Sequence, residues 1–488
     1  MRRAVFLALF VATLAAPSAA RAQGLDLEKD DKADKPVDAT PPTSGYGTYA
    51  PTAVATIAAH AYTLPECLAL TERNHPALWA ARARLEYAHG QLEEAKWVPF
   101  FNWTSNFGTT LLPPIGGTGL YTQSALSARN FSFLNSQPLV HFDINGTVPL
   151  YTFGKIESGR EAAEAGVRVS EWDLEKSRQQ TRMDVRRAYF GIMFARDAKY
   201  VSNEVLDKID KAIKGIEEKI AKGDTSVGDA DLLRLQIYRE ELVARGGEAV
   251  KAEVFAISTL RFFTGVQRNF DVPDEPLKRP DVPVGPVVRY LSAARLFRPE
   301  VNMARAGVEA RRAQLSLARA KFFPDIGLTL GADYTSASNA VAQNNAWFLD
   351  TFNHFYVGFG LGVRWTMDVL PTMARVAQAE AQLSETRALE RLALGGLGVE
   401  VERDYAAVVE AKGREEAWDR AEHKAKQWVA TVEDAIDLGT QDERALTEPL
   451  RAYVNARVNH LLALWDYNVT LSQLALSSGW DGAAPSGS

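Results

Sequence analysis

The chain has 488 residues, 46% of them hydrophobic and 24% charged, with a net charge of −6. That length accommodates a large core or more than one domain, while the mild acidity offers no basic stripe to neutralise phosphates, which excludes nucleic acid as a partner. Average use of Gly and Pro excludes collagen-like and low-complexity chains.

Residues 1–22 have the layout of a secretory signal peptide: Arg2 and Arg3, an apolar run from Ala4 to Ala16, and a cleavage site at Ala20-Arg21-Ala22. The run is too short to cross a bilayer as a helix, which takes about 20 apolar residues. The single cysteine, Cys67, lies far from the cleavage site and cannot form an internal disulfide. Residues 23–62, charged and then rich in Pro, Thr and Ser, read as a disordered leader. No later stretch is apolar over 18 residues or more, so any entry into a membrane is not made with helices.

From residue 63 the chain reads as two copies of one plan, repeat 1 over 63–288 and repeat 2 over 289–478. Gly146 and Gly362, Glu164 and Glu380, Val185 and Val401, Tyr189 and Tyr405, and Gly223 and Gly439 are all 216 apart. A fixed offset of that kind implies internal pseudo-symmetry. In repeat 1 a helix over 63–97 leads to strands at about 99–111 and 138–151, a long helix over 155–222, a helix over 229–262 and a linker. In repeat 2 a helix over 289–322 leads to strands at about 324–335 and 354–368, a long helix over 372–438 and a helix over 445–478; residues 479–488 form a flexible tail.

The strands have two unlike faces. In HFYVGFGLGVRWTM (354–367) the odd positions are Phe355, Val357, Phe359, Leu361, Val363, Trp365 and Met367, and the even ones are Gly358, Gly360 and Gly362 with His354, Tyr356, Arg364 and Thr366. Such alternation marks a strand with one wholly apolar face. Val140, Phe142, Ile144, Val148 and Leu150 alternate in the same way with His141, Asp143, Asn145 and Thr147. Each strand has about the ten residues that a tilted strand needs to cross a bilayer. The long helices have apolar residues at helical spacing, among them Val201, Val205, Ile209, Ile213, Ile216 and Ile220. A rod of this kind reaches about 100 Å at 1.5 Å per residue and packs along a seam.

A search for chemistry returns little. The seven histidines are scattered, and no metal-ligand spacing, nucleophile elbow, phosphate-cradling loop or dinucleotide fingerprint occurs. His423 and His460 read as solvated or seam-lining, and Glu217-Glu218 and Glu415-Glu416 as wet helix faces. No catalysis, cofactor or metal is expected.

Apolar residues on one strand face suit lipid outside, and Gly, Thr and Asp on the other suit a watery lumen. Four strands cannot close a barrel in one chain, and a sheet bathed in lipid has no open edge. Several chains must then share one barrel, and three copies give twelve strands. The expected fold is thus a mixed α/β membrane protein: four strands of a trimeric 12-stranded outer-membrane β-barrel, plus a long periplasmic α-helical coiled-coil barrel. The rival reading is a soluble secreted helical structural or binding protein with a small β-sandwich.

Over roughly 63–478 the chain resembles the TolC-type outer-membrane efflux proteins. The resemblance rests on "LPECLALTERNHPALWAARARLEYAHGQLEEAK", on the junction "NGTVPLYTFGKIESGREAAEAGV", on "VRRAYFGI" and on the duplication. It implies a homotrimer in outer-membrane lipid, a 12-helix periplasmic cylinder and no catalysis. Its implied partners are a periplasmic adaptor (membrane fusion) protein and an inner-membrane transporter of an efflux or type I secretion system. It also implies a constriction where each long helix turns into its partner. Gly223, Ser226, Gly439, Thr440 and Gln441 would then meet the adaptor, and Asp229, Asp442 and Glu448 would form the gate. Gln441 stands where an arginine is usual and Ala445 where an acid is usual, so Asp442, Glu443 and Arg444 are expected to hold the closed state. The other reading of these residues is as helix caps and solvated ends.

Overall fold

The computed structural model describes residues 60–97, 99–100, 102–112, 136–222, 228–338, 340, 347 and 350–483. The signal peptide, residues 23–59 of the leader, residues 113–135 between the first two long strands, Gly223 and Ser226, and residues 484–488 of the tail lie outside them.

Each repeat opens with two helices where one was expected. In repeat 1, α1 (Leu64–Asn74) is followed by α2 (Pro76–Trp97), and in repeat 2, α5 (Val287–Phe297) by α6 (Pro299–Ala320). The breaks fall at His75-Pro76 and Arg298-Pro299, where the residue before proline is extended, with ψ of 124° and 125°. Proline's ring clashes with a helical residue in front of it, so the chain kinks and restarts with Pro at the first helical position. At the start of α1, the Glu66 carboxylate accepts from the Thr63 amide at 2.9 Å and its hydroxyl at 3.0 Å, a closed capping box.

The four long strands β2 (Trp103–Leu112), β3 (Gln137–Tyr151), β5 (Asp325–Ala337) and β6 (His354–Arg364) form one antiparallel sheet in the order β2-β3-β5-β6. Gly146 is required in β3: a Cβ there would stand 2.4 Å from the Trp103 ring that lies across it. Pro149 faces Gly327 while Tyr151 faces Ile326, so Leu150 is skipped as a bulge, at a proline that cannot donate to the ladder. Strand β6 stops at Arg364, short of the expected 368, because its partner β5 begins opposite, at Asp325. The Trp365 indole N–H turns to the Phe322 carbonyl at 3.0 Å, and Asp368 sits before the next helix, accepting from Thr372 at 3.1 Å.

The rods are α3 (Lys155–Ala221, 67 residues) and α7 (Val369–Asp437, 69 residues), each on the order of 100 Å long. They are flanked by α4 (Asp229–Thr264) and α8 (Thr447–Ser478). A seam of Val205, Ile209, Ile213 and Ile216 meets Leu235, Tyr238 and Leu242 of α4 and Leu450, Tyr453 and Val454 of α8 in one cluster. Nearer the sheet a second cluster joins Leu64, Cys67, Val185 and Tyr189, and a third Tyr290, Val401, Val408 and Leu471.

Two expected loose ends are held in place. His60–Ala61, the close of the leader, form a strand β1 that pairs in parallel with β4 (Phe270–Asp271) in the linker between repeats. Tyr62 stacks on Phe270 at 5.2 Å, and Phe270, Val272 and Leu277 are buried. The tail is fixed as far as residue 483: the Arg289 guanidinium lies 4.3 Å over the Trp480 ring, and Asp481 bridges Arg186 at 2.8 Å and Arg182 at 3.3 Å. Apolar burial and paired charge here outweigh the entropy of a free end.

Candidate pore wall and tip gate

The pairing register sorts the sheet into two faces. Trp103 opposes Gly146, which opposes Leu330, which opposes Phe359; four residues along β2, Phe107, Phe142, Tyr334 and Phe355 line up likewise. On β6, Phe355, Val357, Phe359, Leu361 and Val363 are all exposed, Phe359 to 83%. Five large apolar side chains open to solvent on one strand are far more than isolated surface hydrophobes.

The opposite face is polar and glycine-rich, and it forms a cleft lined by Asn102, Thr104, Asn145, Thr147, Gly358 and Gly360, among others. Its charges are paired within the sheet. Asp143 accepts from Asn106 at 3.0 Å and Asn145 at 2.9 Å, and Asp333 lies 2.7 Å from the His354 ring. At the other end the Lys155 ammonium donates to Asp325 at 2.7 Å and to the Phe323 carbonyl at 2.9 Å, fixing the corner where strand becomes rod. Phe153, at φ +52°, stacks there on Phe323 at 5.1 Å. With Trp365 and Tyr151 these rings make an aromatic band along the same end of the sheet, as at a membrane interface.

The turns expected to form the gate lie at the other end of the rods. Gly439 ends α7 in the left-handed region, φ +73°, and lets the Thr440 amide return to the Ala435 carbonyl at 2.8 Å. A 3₁₀ turn, Glu443–Leu446, precedes α8, so the helix starts at Thr447, two residues later than expected. The Lys219 ammonium of α3 donates to Glu443 at 2.6 Å and to Asp442 at 3.4 Å. Those bonds, Glu443 first, hold the Lys219 ammonium above the ordinary lysine range. Arg444 lies 3.7 Å from Asp442 and 4.0 Å from Asp231 of α4. Asp442, Glu443 and Arg444 thus tie the second tip to both helices of repeat 1.

Asp229 and Glu448 are not part of this tie. Asp229 is exposed in the first turn of α4 and makes no ion pair among the described residues. Glu448 is 74% exposed, with Arg451 at 4.0 Å. Gln441 and Thr440 are exposed at the turn. Sequence reasoning missed Lys219 and Asp231. Asp231 had a signal, its place three residues after the Gly228 cap, whose amide it accepts at 3.3 Å. Lys219 had none, because its partners lie in the other repeat.

The Glu415-Glu416 pair, expected to be wet, is divided. Glu416 is half-buried and takes the Arg279 guanidinium at 2.6 Å, whereas Glu415 is 4% exposed and faces His460 of α8. Glu217 and Glu218 are both exposed. Among the described residues no group of His, Cys, Asp and Glu is placed to hold a metal ion.

Comparison with known proteins agrees with this architecture. The fold is similar to CusC, known from crystal structures concerned with transmembrane channel formation, at a TM-score of 0.70 and 15% identity over 86% of this chain and 92% of that one. It is similar also to the CmeC outer membrane channel of Campylobacter jejuni, at 0.69 and 16% identity over 87% and 86%. In sequence the chain is 28% identical over 188 residues to the probable outer membrane lipoprotein SilC of Salmonella typhimurium. That alignment covers 38% of this chain and 40% of the relative, so the chain spans less than half the length of the curated relative it matches. Residues 68–243 and 290–479, one block in each repeat, match the family described as outer membrane efflux protein. The chain belongs to the outer membrane efflux protein family, and its four-stranded sheet and long helices have the fold of these solved outer-membrane channels.

Proposed function

We propose that the protein is the passive, trimeric exit duct of a tripartite efflux or type I secretion system, without catalysis of its own. The observation that carries this reading is the sheet: four strands, a largely apolar face that is wholly apolar and exposed along β6, and outer strands β2 and β6 that each have one partner among the described residues. In lipid an unpaired edge leaves backbone groups unsatisfied, at several kcal/mol each. Three copies joined edge to edge close a barrel of about twelve strands. A soluble β-sandwich would cover the apolar face with a second sheet, and the described residues supply none.

In this reading residues 1–22 are the export signal, and repeats 1 (63–288) and 2 (289–478) each give two strands and one helical hairpin to the duct. Asp229 and Glu448, exposed and outside the Lys219 tie, face neighbouring subunits and with Asp442 form the gate. Gly223, Ser226, Gly439, Thr440 and Gln441 at the turns meet a periplasmic adaptor, which joins the duct to an inner-membrane transporter. The test is the native mass of the mature protein released from outer membranes in mild detergent, with conductance in planar bilayers. A trimer is expected, with Asp229→Asn plus Glu448→Gln raising conductance by disturbing the closed tip. A detergent-independent monomer would overturn the reading.

A further inference from the structure

One stretch of the seam between α7 and α8 is charged. His460 of α8 is 9% exposed, and its Nδ1 lies 2.5 Å from Oε2 of Glu422 on α7. Its Nε2 faces Oε1 of Glu415 at 3.7 Å and Oδ1 of Asp419 at 3.9 Å. Glu415 is itself 4% exposed, and both its Oε2 and the histidine Nε2 are buried without a hydrogen-bond partner. Three carboxylates, spaced one helical turn apart, therefore converge on one imidazole.

The cations nearby do not balance them. Arg457 of α8 lies 2.8 Å from Glu422. Arg279 of the linker lies 3.5 Å from Glu415 but gives its shorter contact, 2.6 Å, to half-buried Glu416. From α3, Asp197 acts on Arg457 and Glu204 on Tyr453. Burial pushes the Glu422 carboxyl up, but bonds from His460 and Arg457 more than offset this and keep it below the ordinary glutamate range. The knot thus holds three carboxylates, Asp419 among them 44% exposed, against two guanidiniums; of the two imidazoles that can add positive charge, His460 lies buried in the seam, whereas His423, 3.4 Å from Asp419, is 72% exposed. Uncompensated buried charge is costly, and histidine is the side chain whose ordinary titration falls between about pH 5 and 8.

We propose that His460 is a positioning residue for the gate: as imidazolium it latches α8 to α7, and on giving its proton to water it loosens that hairpin and favours the open tip. It lies about 20 Å along α8 from Thr447, where the tip begins. The proposal rests on the reading that the tips are the gate, and the experiment separates the two.

Hydrogen exchange of the α7–α8 seam is measured on the full-length protein in detergent, corrected for intrinsic rates. Protection around Leu461 and Leu464 falls about tenfold from pH 6 to pH 8 in the wild type. It stays flat in His460→Gln and follows the wild type in His423→Gln. A wild-type profile in His460→Gln, or no pH dependence in the wild type, overturns the latch. Should His460→Gln fail to assemble, Asp419→Asn serves: losing one carboxylate moves the transition to lower pH, and an unmoved transition overturns the proposal. Unchanged conductance in Asp229→Asn with Glu448→Gln would count against the tip gate alone and leave the seam result standing.

Discussion

The two helical hairpins descend from one plan but are filled differently. At the 216-residue offset, Ile209, Ile213 and Ile216 of α3 correspond to Ala425, Val429 and Val432 of α7, all in the same core cluster. Counted back from the glycines that end each helix, Gly265 and Gly479, His460 of α8 corresponds to Gly246 of α4. There a Cβ would stand 3.7 Å from Ser202, an ordinary contact. Glu415, Asp419 and Glu422 correspond to Lys199, Asn203 and Leu206. Repeat 1 closes its seam with isoleucine and a balanced Arg196–Glu253 pair at 2.8 Å; repeat 2 closes its own with small aliphatics and a knot in which carboxylates outnumber guanidiniums. Apolar packing is indifferent to pH and salt, whereas buried charge depends on every partner. On the proposed latch, repeat 1 is the fixed wall, and repeat 2 the member whose packing answers to its surroundings.

That contrast breaks first, and most visibly, at Ile209. Fully buried in the α3 seam, it should cost about 2–5 kcal/mol when cut to alanine, by lost burial and the cavity left behind. Thermal unfolding in detergent measures it. The counterpart position is already Ala425, so a loss of under about 1 kcal/mol for Ile209→Ala, far below that range, would mean that repeat 1 is no better packed than repeat 2.

Next in size is Arg457→Met, which leaves Glu422 in the seam with His460 alone. Arg457 is 27% exposed and Glu422 12%, so the loss is placed at about 2–4 kcal/mol, beneath that of a fully buried broken pair. The matching position in α4 is Val243, 44% exposed, where a change to Met moves stability by less than about 0.5 kcal/mol. Equal effects at the two positions would erase the contrast. The depressed Glu422 carboxyl fixes a second sign: its stabilisation is present above the ordinary glutamate range and is lost as the pH falls through its folded value. Arg457→Met should flatten that acid-side loss.

What the sequence disclosed follows from how local each signal is. Period-two alternation announces a strand and both of its faces within fourteen residues, so HFYVGFGLGVRWTM was readable without a partner. The fixed offset disclosed the duplication, because glycines and tyrosines at equal spacing survive where helix composition drifts. The breaks at His75-Pro76 and Arg298-Pro299 were also written in the chain, but a long helical period masked them. Glu415 was misread for a different reason. Adjacent acids on a helix diverge, and which one is buried is decided by α8, in contact with α7 only after folding. The same holds for Lys219 and for the two-residue pairing of β1 with β4, where the partners lie some 200 residues apart.

The smallest effect on stability should be the most informative at the gate. The Lys219 side chain is 29% exposed and ties α3 to Glu443 at 2.6 Å and to Asp442 at 3.4 Å. Ion pairs with this much access to water are worth about 0.2–1 kcal/mol, so Lys219→Met should scarcely move the unfolding temperature. Yet the tie is the short link between the repeat-2 tip and the repeat-1 wall; the second, Arg444 to Asp231, spans 4.0 Å. If the tips gate the duct, weakening that link by about 1 kcal/mol raises opening frequency by up to about fivefold. High salt, which screens exposed charge over a few ångströms, should raise wild-type opening towards the Lys219→Met level and leave the variant unchanged. Equal opening in both proteins at low salt would show that the charged tie belongs to the tip's shape and not to its closure.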